Sequence, residues 1–151
     1  MIALQQSKKK VDLSGTPQTS LLILYRRAKV SKEYGPLFND VKALDLVESL
    51  DYDFSTEKAI TDYLLFASAA RAVQFDNKVK AYITSILTHR WLILGLGLRR
   101  NFTTLIGTIR WYDLDSPGVI EIRKQLIPET DRAKCIAKSF LDPSWCIDIN
   151  T

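Results

Sequence analysis

A glycine turn followed closely by an acidic strand end constrains this chain more than any other feature. Trp91-Leu-Ile-Leu94 is a short apolar run closed by Gly95-Leu-Gly97, and Thr108-Ile-Arg-Trp-Tyr-Asp-Leu-Asp-Ser-Pro117 begins 11 residues after Gly97. The first run fits a buried parallel strand, and the second reads as a strand over 108–113 that leads into acidic residues. In an α/β fold this layout holds an adenosine-bearing ligand. Glycines let the backbone approach it, and a carboxylate at the end of the next strand takes the ribose hydroxyls.

The rest of the chain supports that reading. Residues 1–19 are polar and read as a flexible N-terminus, with a short helix over Ser20–Ala28 and a break at Gly35-Pro36. Asn39 or Asp40 caps a second helix whose Leu44, Val47 and Leu50 share a face. Asp51-Tyr-Asp-Phe-Ser55 reads as a turn, with Ser55 capping a long helix from Thr56 to Leu87. The apolar stripe of that helix runs Ile60, Leu64, Ala67, Phe75, Val79, Tyr82 and Ile86, and Arg71 stands within it. A guanidinium facing a core has to be paired, because burying it alone is costly.

After the glycines the pattern alternates strand and helix. Ser116 caps a helix with Pro117 at its first position, and Val119, Ile120, Arg123, Leu126 and Ile127 follow at helical spacing. Ala133–Ser139 makes a third strand, and Asp142-Pro143 opens another turn or helix. The expected class is α/β: a helical cap over 20–88, then a β-α-β-α-β unit over 89–151 in the same domain.

Composition narrows the function. A chain of 151 residues suits one domain, and a net charge of +4 is mild. Part of it comes from Lys8-Lys9-Lys10, which reads as a solvated, mobile end rather than a nucleic-acid surface, since no aromatic residues interleave with it. Cys135, Cys146 and the single His89 make neither a disulfide framework nor a metal site. The N-terminus lacks a signal-peptide core and no apolar run approaches the ~20 residues of a membrane span, so a cytoplasmic protein is expected.

Several collinear motifs resemble a known family across roughly residues 20–150. They are Pro36-Leu-Phe-Asn-Asp40 with Lys42-Ala43, Asp51-Tyr-Asp-Phe-Ser55, Arg71 with Phe75-Asp76, Arg110-Trp-Tyr-Asp-Leu-Asp-Ser-Pro117, Leu126-Ile-Pro-Glu-Thr-Asp-Arg132, and Ala137-Lys-Ser-Phe-Leu-Asp-Pro-Ser-Trp145. These are similar to leucine carboxyl methyltransferase-like enzymes, more closely to the bacterial polyketide O-methyltransferase branch. The resemblance implies the first half of a Rossmann-like, class I methyltransferase sheet, with S-adenosylmethionine as cofactor. It implies that Arg71 pairs with the cofactor's carboxylate and that Gly95 and Gly97 form the cofactor loop. Asp115 takes the ribose hydroxyls, with Asp113 as the competing candidate. Ser139 falls where relatives place an Asp beside the adenine, and Phe140 offers a backbone or ring contact there. The implied acceptor is a carboxylate or hydroxyl of a small molecule or peptide. No catalytic residue is assigned, because in-line methyl transfer needs positioning rather than a nucleophile.

Two departures shape the expectation. Where the family continues Gly-Leu-Asp-Thr, this chain has Gly97-Leu98-Arg99-Arg100, and family-like sequence resumes at Gly107. Compensating frameshifts would explain a local replacement between good matches, and reading the gene across codons 85–107 tests this. The family sheet also continues beyond a third strand. The alternative to a methyltransferase half is therefore a non-catalytic truncated or frameshifted remnant. A dinucleotide oxidoreductase is disfavoured because Arg100 stands where a third glycine belongs.

Overall fold

The structure, a computed structural model, describes residues 8–10, 16–56, 61–85, 90–95, 97–99 and 109–150. Three helices come first: α1 (Thr16–Glu33), α2 (Val41–Glu48) and α3 (Asp62–Ser85), with a 3-10 turn at Phe54–Thr56. β1 (Arg90–Leu94), β2 (Arg110–Asp115), α4 (Pro117–Leu126), β3 (Ala133–Ala137) and α5 (Trp145–Asn150) follow. The strands are parallel in the order β1-β2-β3, with Trp91 opposite Trp111 and Trp111 opposite Ala133. This is the α/β class read from the sequence, a helical cap followed by part of a Rossmann-like sheet.

Side-chain alternation gives the sheet two faces. On one, Ile93, Ile109, Trp111 and Ala133 pack against Val79 and Ile83 of α3. On the other, Tyr112, Leu114 and Ile136 pack against Trp145 and Ile149 of α5. A third cluster joins the cap to the βα unit. It brings together Leu21, Leu24 and Ala28 of α1, Ala43 and Leu46 of α2, and Ile122 and Leu126 of α4, around Leu98. That cluster seats α1 beside the glycine turn. Among the described residues no helix is long and apolar enough to cross a membrane.

Several local expectations are corrected. The first helix starts at Thr16 rather than Ser20 and runs to Glu33, because the stripe Leu21, Leu24, Ala28 and Val30 stays buried along it. Lys9 is fastened by main-chain bonds, its N–H to Ser49 O at 2.8 Å and its carbonyl to Asp51 N–H at 2.9 Å. In α2 the buried residues are Ala43 and Leu46, with Leu44 and Val47 only partly covered. Asp40 is the cap, accepting from Ala43 N–H at 3.0 Å.

The long helix begins at Asp62, so Ser55 does not cap it; Ser55 N–H instead donates to Asp53 Oδ1 at 2.9 Å within the turn. Its buried stripe is Leu65, Ala69, Ala72, Val79 and Ile83, whereas Ala67 and Arg71 are exposed. Ile60, Ile86 and Leu87 lie outside the described residues. The second strand extends two residues further than expected, to Asp115, and the third ends at Ala137 rather than Ser139.

Candidate functional site

The backbone at the end of β1 turns through two left-handed residues, Gly95 at φ +65° and Gly97 at φ +59°. That region is costly for any residue with a Cβ, which is the local reason for glycine at both positions. Gly95 N–H continues the ladder to Leu114 O at 2.9 Å. Gly97 N–H donates to Asp115 Oδ2 at 3.0 Å, while Asp115 Oδ1 accepts from Ser116 N–H at 2.8 Å. Helix α1 comes close above the turn. A Cβ added at Gly97 would stand 3.2 Å from Ser20 Oγ.

A cleft of about 340 Å³ opens here, lined by Ser20 and Arg27 of α1, Arg71 and Phe75 of α3, and Gly95 and Gly97. It lies at the carboxyl end of β1, where open α/β sheets bind ligands. Arg27 is buried and accounted for: Nε and Nη2 donate to Asp40 Oδ2 at 2.9 and 2.7 Å. Arg99 also lines the cleft. Its guanidinium lies 4.8 Å from the Phe75 ring centroid, donates to Ala72 O at 2.8 Å and pairs with Asp76. Burial pushes the Asp76 carboxyl above its ordinary value, against the pull of Arg99 and Lys80. No acidic side chain is among the described lining residues of the cleft.

Arg71 differs from both. It is exposed, and among the described residues it has no hydrogen-bond or ion-pair partner. Arg71 is therefore not a paired core arginine: Asp76 holds Arg99, and Arg71 sits at the cleft wall.

The two carboxylates of β2 also separate. Asp115 ends the strand beside the turn, whereas Asp113 is 1% exposed and bonded to Arg123 Nη2 at 2.8 Å. Burial raises the Asp113 carboxyl, with Arg123 opposing. Arg123 appeared in the sequence only as one member of a helical stripe. The signal that would have found it is the one applied to Arg71, a guanidinium among apolar positions.

Ser139 and Phe140 follow β3 and do not line the cleft. Ser139 Oγ accepts from Leu141 N–H at 3.2 Å, and the Phe140 carbonyl accepts from Trp145 Nε1 at 3.0 Å, with Phe140 63% exposed. Leu96, His89 and residues 100–108, which include Arg100 and Gly107, lie outside the described residues. Among the described residues no three His, Cys, Asp or Glu side chains gather as metal ligands. A larger hollow of about 550 Å³ lies along β3, lined by Arg110, Tyr112, Lys134, Lys138 and Asp148. It mixes both signs of charge and contains neither glycine of the turn, so the smaller cleft is the better candidate.

No family model matches the chain. Over 139 residues it is 30% identical to the tetracenomycin polyketide synthesis O-methyltransferase TcmP of Streptomyces glaucescens, covering 89% of this chain and 50% of that protein. Over 159 aligned positions it is 28% identical to the S-adenosyl-L-methionine-dependent methyltransferase dpfgK of Gibberella zeae, covering 95% of this chain and 53% of that one. The chain spans about half the length of the curated relatives it matches. Its homologues are methyltransferases.

Proposed function

We propose that this chain is the cofactor-binding part of an S-adenosylmethionine-dependent O-methyltransferase of the leucine carboxyl methyltransferase-like, polyketide-type branch. The observation that carries the reading is the meeting of Arg71 with Gly95 and Gly97 in one cleft at the carboxyl end of β1. Those residues come from distant parts of the chain, and each fits the cofactor chemically. Arg71, without a partner among the described residues, offers its guanidinium to a carboxylate, which is strong, bidentate recognition. The glycines leave room for close backbone approach, and the cleft volume lies within the usual range for ligand sites.

In this reading Arg71 holds the amino-acid end of the cofactor. Asp115 is the ribose carboxylate rather than Asp113, whose burial against Arg123 removes it from ligand reach. Ser139 and Phe140, exposed after β3, are candidates for the adenine side. When bound, the cofactor supplies an activated methyl group. The chain's own residues bind, orient and exclude water, with α1 roofing the turn. The acceptor we propose is a carboxylate or hydroxyl of a small molecule or peptide.

A second reading is binding without turnover. It is favoured by one observation, three arginines lining the described cleft with no acid among them, where a sulfonium is cationic. Calorimetric titration with S-adenosylhomocysteine, beside Arg71→Ala, tests the proposal. Saturable binding that the substitution abolishes supports a cofactor site. No binding by folded chain overturns it.

A further inference from the structure

The glycine turn is held by an arginine that no motif assigns, together with the carboxylate that the turn's ligand reading leaves unused. Arg123, on α4, and Asp113, on β2, are each 1% exposed and are joined at 2.8 Å. Arg123 Nη2 makes that bond, while Nη1 donates to the carbonyls of Gly97 at 2.8 Å and Arg99 at 2.5 Å. From the other direction, Asp115 Oδ2 accepts the N–H of Gly97 at 3.0 Å.

Both peptide groups of Gly97 are therefore fixed from outside, one by a carboxylate of β2 and the other by a guanidinium of α4. Peptide groups are planar, so fixing the two planes on either side of a residue fixes its φ and ψ. This matters at Gly97 more than elsewhere, because glycine does not choose the sign of its own φ. The left-handed conformation at φ +59° has to be imposed. We propose that Arg123 is a positioning residue that imposes the shape of the glycine turn, with Asp113 holding Arg123 in place. The proposal rests on the preceding reading only in taking this turn to be the cofactor's.

The chemistry favours arginine for the task. Its planar fork serves a carboxylate with one nitrogen and two carbonyls with another, whereas a lysine is a single point charge on a flexible stem. A buried ion pair is a weak stabiliser when compared with a well-packed apolar pair of the same volume. What distinguishes this pair is where its second nitrogen points: to the two carbonyls that bracket Leu98.

The test compares the full chain with Arg123→Lys and with the double variant Asp113→Leu/Arg123→Met. The lysine keeps the charge opposite Asp113, and the double variant replaces the pair by apolar groups of similar size, which preserves folding where a single truncation does not. Hydrogen exchange at the Gly97 amide is the first readout and needs no ligand. We expect it to quicken about tenfold or more in both variants, the loss of one charge-assisted hydrogen bond, while thermal midpoints stay close to the parent's. S-adenosylhomocysteine affinity should fall by a similar factor. If the folded variants keep the parent's Gly97 exchange, the pair is merely structural and the proposal is overturned. A parent that never binds S-adenosylhomocysteine overturns the function proposed above and leaves the exchange result to decide this one.

Discussion

Two arginines lie at the glycine turn, one bonded to it and one lining the cleft beside it, and almost everything about them differs. Arg123 is 1% exposed, with Asp113 and two main-chain carbonyls as partners. Arg71 lines the cleft, exposed, with no ion-pair or hydrogen-bond partner among the described residues. In the sequence both stood within apolar stripes, though the demand for a partner was drawn for Arg71 alone. The folded chain supplies the partner for Arg123 from its own β2. For Arg71 it supplies a cleft. A charge that the protein satisfies internally belongs to its scaffold, while one that it leaves at a concave surface is the candidate for a ligand.

The sharpest way to break this contrast is to remove the internal partner. Asp113→Ala leaves a buried guanidinium uncompensated and should cost about 3–5 kcal/mol of stability, read as a fall in the urea midpoint. A shift no larger than that of a surface substitution would mean Arg123 is not the buried charge described. Next comes Arg71→Ala, which should leave stability within about 0.5 kcal/mol of the parent. The same change should weaken S-adenosylhomocysteine by about 1.5–3 kcal/mol, by calorimetry. Equal affinities would remove Arg71 from the site.

The turn itself offers a smaller test. Gly97→Ala meets both left-handed strain and Ser20 Oγ at 3.2 Å, whereas Gly95→Ala has nothing within 4 Å and meets strain alone. Each should lose about 1–2 kcal/mol from the strain, with Gly97→Ala the worse of the two and partly rescued by Ser20→Gly. Equal losses with no rescue would mean α1 does not press on the turn.

The smallest effect concerns pH. Burial raises Asp76 above its ordinary 3.8, so folding favours its protonated form. That contribution is complete below 3.8 and is lost as pH climbs through the raised value. Relative to Asp76→Asn, the parent should therefore lose thermal stability across that rise. A flat difference would count against the burial of this carboxyl.

The topology was legible because its signals are local. An apolar run ending in glycine, an acidic strand end and Ser116-Pro117 each state what the backbone does at that point, and β1, β2 and α4 follow. The phase of α3 was not legible. Ala67, Ala69, Ala70 and Ala72 fit either face of a helix, so a stripe drawn through Ala67 and Arg71 was as consistent as the observed one through Leu65, Ala69 and Ala72. Asp113 and Asp115 were both visible as acids. Only the side-chain reach of Arg123 across to β2 separates them, and sequence spacing carries no such distance. The fastening of Lys9 between Ser49 and Asp51 is a main-chain event with no side-chain signature.

The close approach of Ser20 to Gly97 joins positions 77 apart in the sequence (97 − 20). Such a contact closes a long loop and forms late, after the local helices and the β-α-β steps that reward themselves. The cleft therefore has one wall from the early part of the chain and one from the middle, and it exists only once they have docked. A molecule bound there touches both walls and acts as a reversible cross-link between them. Its presence at a hundredfold excess over Kd would hold the docked state by about 2.7 kcal/mol. The cofactor would then be part of what folds this chain, and its withdrawal would loosen the first helix before it disturbed the sheet.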